Sequence, residues 1–195
     1  GTIFSKLKQL ENAEESFRQA ILLNPNYAGA HYNLGNTLKD LRKIDEAEES
    51  FRKAIVINPN YAEAHNNLGN IMKSHDRLED AEASYRKAIA LDPDYAEAHN
   101  NLGNIMKSHD RLEDAEASYR KAIAINPDYA QAYSNLGTNL KNLGKFEEAE
   151  ASFRQAIALD QKYTQAHCNL CLILYAKGDF DSAIQCIKKA NSINP

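Results

Sequence analysis

Apolar residues recur along this chain at helical spacing, in short runs separated by turn residues. Between Ala28 and Tyr61, the positions His31, Leu34, Gly35 and Leu38 fall three or four apart, which predicts one apolar face of an amphipathic helix. Ile44, Ala47, Phe51, Ala54 and Ile55 form a second such stripe, and Pro59 ends it. The outer face of that second helix is charged, with Glu48–Arg52 and Glu49–Lys53 spaced i,i+4. Gly35 sits inside the first stripe, where glycine costs about 1 kcal/mol against alanine. Close approach by the second helix is the expected compensation. Asn60 with Glu63, and Asp94 with Glu97, have capping-box spacing for the helix that follows each.

The same two-helix pattern returns along the whole chain. Ala62–Tyr95 and Ala96–Tyr129 match at 32 of 34 positions, differing only at Leu91/Ile125 and Asp92/Asn126. Tyrosine recurs every 34 residues at Tyr27, Tyr61, Tyr95, Tyr129 and Tyr163, and Leu-Gly recurs at Gly35, Gly69, Gly103 and Gly137. Four full units are read, Ala28–Tyr61, Ala62–Tyr95, Ala96–Tyr129 and Ala130–Tyr163, in one array over 1–195. Residues 1–27 read as the remainder of a cut unit, in which Gly1 and Phe4 close a first helix and Ala13, Phe17, Ala20 and Pro25 mark a second. Thr164–Pro195 reads as a divergent last unit. No unit can bury its apolar face alone, so stacking of neighbours supplies the core.

In the second full unit the markers are His65, Leu68, Gly69, Met72, Ala81, Tyr85, Ala88 and Pro93. This pattern resembles the tetratricopeptide repeat (TPR), a helix–turn–helix unit. The resemblance implies an all-α, right-handed superhelical solenoid whose first helices line a concave face. The run His-Asn-Asn-Leu-Gly-Asn also looks like the repeats of O-linked N-acetylglucosamine transferases and of bacterial TPR proteins.

The stripe of the first helix that the core does not use is polar. It comprises Gly29, Tyr32, Asn33, Asn36 and Lys39 in one unit, then Glu63, Asn66, Asn67, Asn70 and Lys73, and Glu97, Asn100, Asn101, Asn104 and Lys107. The fourth unit has Gln131, Ser134, Asn135, Thr138 and Lys141. Asn33, Asn67, Asn101, Asn135 and Asn169 recur in register before Leu-Gly or its counterpart, so stacked helices about 8–10 Å apart would form an asparagine ladder. An amide offers both a donor and an acceptor, as the backbone of an extended peptide requires. In the glycosyltransferase relatives such a ladder grips a peptide backbone, and the resemblance implies the same role here. The expected function is a protein–protein interaction scaffold with a peptide or protein partner and no catalysis. The alternative is the non-catalytic, substrate-recruiting arm of a larger enzyme such as a glycosyltransferase. Some TPR proteins hold a chaperone's C-terminal carboxylate with asparagines and basic residues. Here Asn66, Gln131 and Asn135 stand where the basic partners belong, and Glu63 and Glu97 would repel the carboxylate.

Charge and candidate chemistry narrow this little further. Twenty-three basic against 27 acidic residues give −4, which argues against a nucleic-acid surface. No apolar run long enough to span a membrane is present, and three cysteines do not make a disulfide framework, so a reducing cytoplasm is expected. His31, His65, His99 and His167 stand one helix spacing or more apart, too far to share a metal, and read as packing residues. Cys168 and Cys171 form Cys-x-x-Cys inside a helix, where the helix N-terminus cannot activate a thiolate. No cofactor or metal is expected. In the last unit Ile184 replaces the glutamate seen as Glu48, Glu82, Glu116 and Glu150, and Leu172 and Tyr175 replace groove residues. An exposed apolar patch there predicts self-association through the open repeat ends, head-to-tail or as a C-terminal pair, or else that the native chain continues.

Overall fold

The computed structural model describes the backbone of residues 2–193 and the side chains of residues 5–191, so the expectations at Gly1, Pro195 and the Phe4 side chain fall outside the described residues. Among the described residues the chain is all-α, with eleven helices and no strand. Two units are distinguished, residues 1–93 and 94–195. The first holds α1 (Thr2–Leu23), α2 (Ala28–Asp40), α3 (Ile44–Ile57), α4 (Ala62–Ser74) and α5 (Leu78–Leu91). The second holds α6 (Ala96–Ser108), α7 (Leu112–Ile125), α8 (Ala130–Asn142), α9 (Phe146–Leu159), α10 (Thr164–Ala176) and α11 (Phe180–Ile193). Even-numbered helices are the first helices of the repeats, and each packs on the odd-numbered helix that follows it.

That packing turns on a glycine and an aromatic ring. A Cβ on Gly35 would lie 2.7 Å from the Phe51 ring, and Gly69, Gly103 and Gly137 stand equally close to Tyr85, Tyr119 and Phe153. All four rings are fully buried. The helix-breaking tendency of glycine is therefore offset by an aromatic side chain seated directly on the first helix. The last unit makes a compensated exchange at the same two places, with Cys171 for the glycine and Ile187 for the ring.

Two local expectations are corrected. The cut unit does not break into two helices, because α1 runs unbroken over Thr2–Leu23. Elsewhere the turn between helices requires a residue at positive φ, namely Arg42, Asp76, Asp110, Gly144 or Gly178. The corresponding residue is Lys8, within a run of strong helix formers from Lys6 to Glu11, and the helix continues through it. The capping boxes do not form either. Helices α4 and α6 start one residue later than that motif needs, with Tyr61 and Tyr95 at the N-cap and no side-chain cap. The turn is closed instead by Asx hydrogen bonds, from Asn60 N–H to Asn58 Oδ1 (3.2 Å) and from Asp128 N–H to Asn126 Oδ1 (3.1 Å).

Neighbouring repeats are joined on the second helices by an ion staple. Glu48 accepts from Arg52 on its own helix (2.7 Å) and from Arg77 of the next repeat (3.0 Å). Glu14 pairs likewise with Arg18 and Lys43 (both 2.8 Å), Glu116 with Arg120 (2.8 Å) and Lys145 (2.9 Å), and Glu150 with Arg154 (2.9 Å) and Lys177 (2.7 Å). These carboxylates are largely covered. Burial pushes the Glu48 pKa up, but hydrogen bonds from Arg52 and Arg77 override it and hold the group below the usual carboxylate value. The Glu14 pKa is lowered chiefly by its hydrogen bond from Lys43. In the last unit Asp179 occupies the basic position and caps α11, with Ser182 N–H donating to Asp179 Oδ1 at 3.2 Å, while Lys177 reaches Glu150 from two residues earlier. The expected pair Glu49–Lys53 is also formed, at 2.7 Å.

Candidate functional site

The polar stripe of the first helices divides into two kinds of side chain. Asn66 and Asn100, expected on the open face, are fully buried. Asn67, Asn101 and Asn169 are nearly so, at 8%, 9% and 7% exposure. Asn36, Asn70, Asn104 and Asn135 are half-exposed, as are Lys39, Lys107 and Lys141, while Asn33 and Lys73 are exposed. The ladder residues thus bridge neighbouring repeats as well as lining an open face.

In the first unit Asn67 Nδ2 donates to Asn36 Oδ1 at 2.8 Å and to the Tyr32 hydroxyl at 3.3 Å, linking α4 to α2. In the second unit Asn135 Nδ2 donates to Asn100 Oδ1 at 2.9 Å, linking α8 to α6, and Asn169 Nδ2 donates to Thr138 Oγ1 at 3.3 Å, linking α10 to α8. A second set of bonds runs inside the repeat. Tyr85 and Tyr119 hydroxyls donate to Asn70 and Asn104 Oδ1, each at 2.8 Å. These bonds use one end of each amide. Among the described residues, Asn67 and Asn135 keep carbonyl oxygens that accept no bond, and Asn36 and Asn104 keep amide groups that donate none. Each unit therefore carries both an unused acceptor and an unused donor on adjacent first helices.

Tyrosines flank this face. Tyr32 stacks against Tyr61 with ring centroids 4.7 Å apart and against Phe51 at 5.9 Å. Burial pushes the Tyr129 hydroxyl up to about 12, with Glu97 and Tyr163 adding to the shift. The Asn100 amide leans toward that hydroxyl and opposes the rise, but without hydrogen-bond geometry, so Asn100 Nδ2 is left buried without a partner.

The candidate chemical residues are absorbed into the frame. Nε2 of His31, His65 and His167 meets the carbonyl oxygens of Pro25, Pro59 and Gln161 at 3.0, 3.1 and 3.0 Å, which ties each first helix to the turn before it. Burial lowers the His65 pKa, and because a carbonyl oxygen only accepts, Nε2 is the ring nitrogen that carries the proton in the bond to Pro59. Cys168 is exposed, whereas Cys171 is buried and its thiol is pushed up to about 12 by burial and by the neighbouring Cys186. Cys186 Sγ donates to the His167 carbonyl at 3.3 Å. Among the described residues no three His, Cys, Asp or Glu side chains converge as a metal site requires, and no helix is long and apolar enough to cross a membrane.

These repeat units have known counterparts. A family profile described as TPR repeat matches residues 1–42, 74–110 and 107–142, and others described as tetratricopeptide repeat match 28–61 and 130–163, 50–83, and 164–195. The chain belongs to the tetratricopeptide repeat family. Its TPR fold is shared with the crystal structure of MamA, at 28% identity and TM-score 0.73 over 82% of this chain and 94% of that one. YrrB, described as a TPR protein with an unusual peptide-binding site, is similar at 22% identity and TM-score 0.73, covering 93% and 94% of the two chains. The pilF protein of Pseudomonas aeruginosa is similar at 24% identity and TM-score 0.80, over 86% and 77%. No curated protein matches the sequence.

Proposed function

We propose that this TPR chain is an interaction scaffold that holds an extended segment of a partner protein along the half-exposed face of its first helices. The observation that carries this reading is the split use of the ladder amides. Bridging neighbouring repeats consumes one end of Asn67, Asn36 and Asn135, the Tyr119 hydroxyl consumes one end of Asn104 inside its own repeat, and each unit keeps an acceptor and a donor on adjacent helices. A peptide backbone in extended form presents N–H and C=O groups in alternation, so it satisfies both without regard to its side chains. Stacked helices about 8–10 Å apart correspond to roughly three extended residues per repeat. Lys39 and Lys73 on the first unit, and Lys141 on the second, lie at the C-terminal ends of the first helices, away from Glu63 and Glu97 at the N-terminal ends, and favour acidic character in the part of a partner that lies over them. The repeats' likeness to the arms of O-linked N-acetylglucosamine transferases, and the peptide-binding site described for YrrB, fit the same reading.

The test removes the unused donors and keeps the bridges. In Asn36→Asp and Asn104→Asp the carboxylate still accepts from Asn67 or Tyr119 but cannot donate. The double variant should melt close to the parent and bind a selected peptide several-fold more weakly. Unchanged affinity for every selected peptide would refute the ladder as the binding site.

A further inference from the structure

Five large apolar side chains are exposed near the end of the second unit: Leu172, Tyr175, Phe180, Ile184 and Ile187. They have two different origins. Ile187 occupies the place of Phe51, Tyr119 and Phe153, which are fully buried where another repeat follows in the same unit. Ile184 takes the place of the covered glutamates of the ion staple. Both belong to a stacking surface. Leu172 and Tyr175 do not. Their counterparts Asn36, Asn104 and Thr138, and Lys39, Lys107 and Lys141, stay half-exposed although another repeat follows each of them. Stacking a further repeat therefore leaves these two places open, and at α10 they have changed from amide and ammonium to apolar. Leu172 is 56% and Tyr175 66% exposed, and the Tyr175 ring meets Phe180 edge-on with centroids 5.5 Å apart. In the inner repeats the ring hydroxyl bonds to the residue at the Leu172 place, as Tyr119 does to Asn104 at 2.8 Å, and here that polar pair becomes Ile187 and Leu172.

We infer that α10 supplies an apolar subsite to the binding face of the second unit, for an extended acidic peptide carrying a bulky aliphatic or aromatic side chain. Charge decides the class of partner. Lys141, one first helix away, makes no ion pair among the described residues and lies at the same place on α8 as Tyr175 on α10. The helix spacing of about 8–10 Å places a carboxylate on the partner roughly three extended residues from its apolar anchor. This inference rests on the groove reading above and adds to it a polarity and a preferred end.

The test is selection of random 12-residue peptides on the intact chain, followed by fluorescence anisotropy of the winners. Leu172→Asn with Tyr175→Lys restores the residues of the inner repeats, so the fold has already shown that it accepts them. Selected peptides should pair a Leu, Phe or Tyr with an Asp or Glu about three positions away, and should bind the double variant about tenfold more weakly. Replacing their acidic residue with Lys should also abolish binding. Winners that bind the double variant as tightly as the parent, but lose affinity to Asn36→Asp with Asn104→Asp, would overturn the subsite and keep the groove. Winners indifferent to both variants, or no winners, would overturn the two readings together. Light scattering on the peptide-free chain supplies the remaining arm. A mass that rises with concentration and falls back to monomer in Leu172→Asn/Tyr175→Lys would assign the patch to a second copy of this chain and overturn the peptide.

Discussion

Asn67 donates its amide to Asn36 across two repeats at 2.8 Å, and the same contact that exposes the far end of each amide also fastens α4 to α2. On the proposed reading, binding and stability are coupled in one side chain. Asn67→Ala removes the bridge from a nearly buried site and strands the Asn36 carbonyl. The expected loss is about 1 kcal/mol, read by urea denaturation, with helicity in the native baseline unchanged. Asn33 is exposed and makes no such bond among the described residues, and Asn33→Ala should cost almost nothing.

The ion staple makes stability depend on acid. The Glu48, Glu116 and Glu150 carboxylates are held below their ordinary value of 4.5, so the unfolded chain takes up protons first as pH falls. Stability from these groups is present above that value and is lost as pH drops through the depressed folded pKa. Denaturation midpoints measured between pH 7 and 3 should fall most steeply at the acid end. Glu48→Gln should lower the midpoint at pH 7 and leave a shallower decline with acid.

The contact between Gly137 and Phe153 leaves no room for a methyl group, since a Cβ would stand 2.8 Å from the ring. Gly137→Ala should cost about 1–3 kcal/mol by overpacking, despite alanine's better helix propensity. Adding Phe153→Ile copies the exchange found at Cys171 and Ile187. The double variant should be more stable than the sum of the two single changes, and a thermodynamic cycle measures that coupling.

Asn139 is fully buried where the two preceding repeats have Ile71 and Ile105. Its amide donates to the Leu112 carbonyl at 2.8 Å, but its own carbonyl oxygen has no partner among the described residues. Asn139→Ile should raise stability by about 1–2 kcal/mol, because it removes an orphaned acceptor and buries an apolar side chain in a site already shaped for one. A lowered melting temperature would show that the Leu112 bond outweighs both gains.

The sequence by itself determined the repeat, the helix pairs and the close approach of Gly35, Gly69, Gly103 and Gly137 to the second helix. These follow from spacing, since a helix places residues three and four apart on one face wherever it sits. It also disclosed Glu48–Arg52, which is local. Tertiary structure alone decided which polar residues stay open. Asn66 and Asn67 are adjacent and chemically identical, yet one is fully buried and the other keeps an unused acceptor. Asn67 reaches a partner 31 residues back, and Arg77 reaches Glu48 at 29. Such separations depend on the offset at which neighbouring repeats pack, and no periodicity within one helix encodes that offset. The recurrence of a basic residue at Lys43, Arg77, Arg111 and Lys145 was the visible trace of the staple. Its carboxylate partner could be chosen only once the helices were side by side, because burial and a second cation together distinguish Glu48 from the exposed Glu49 one residue away.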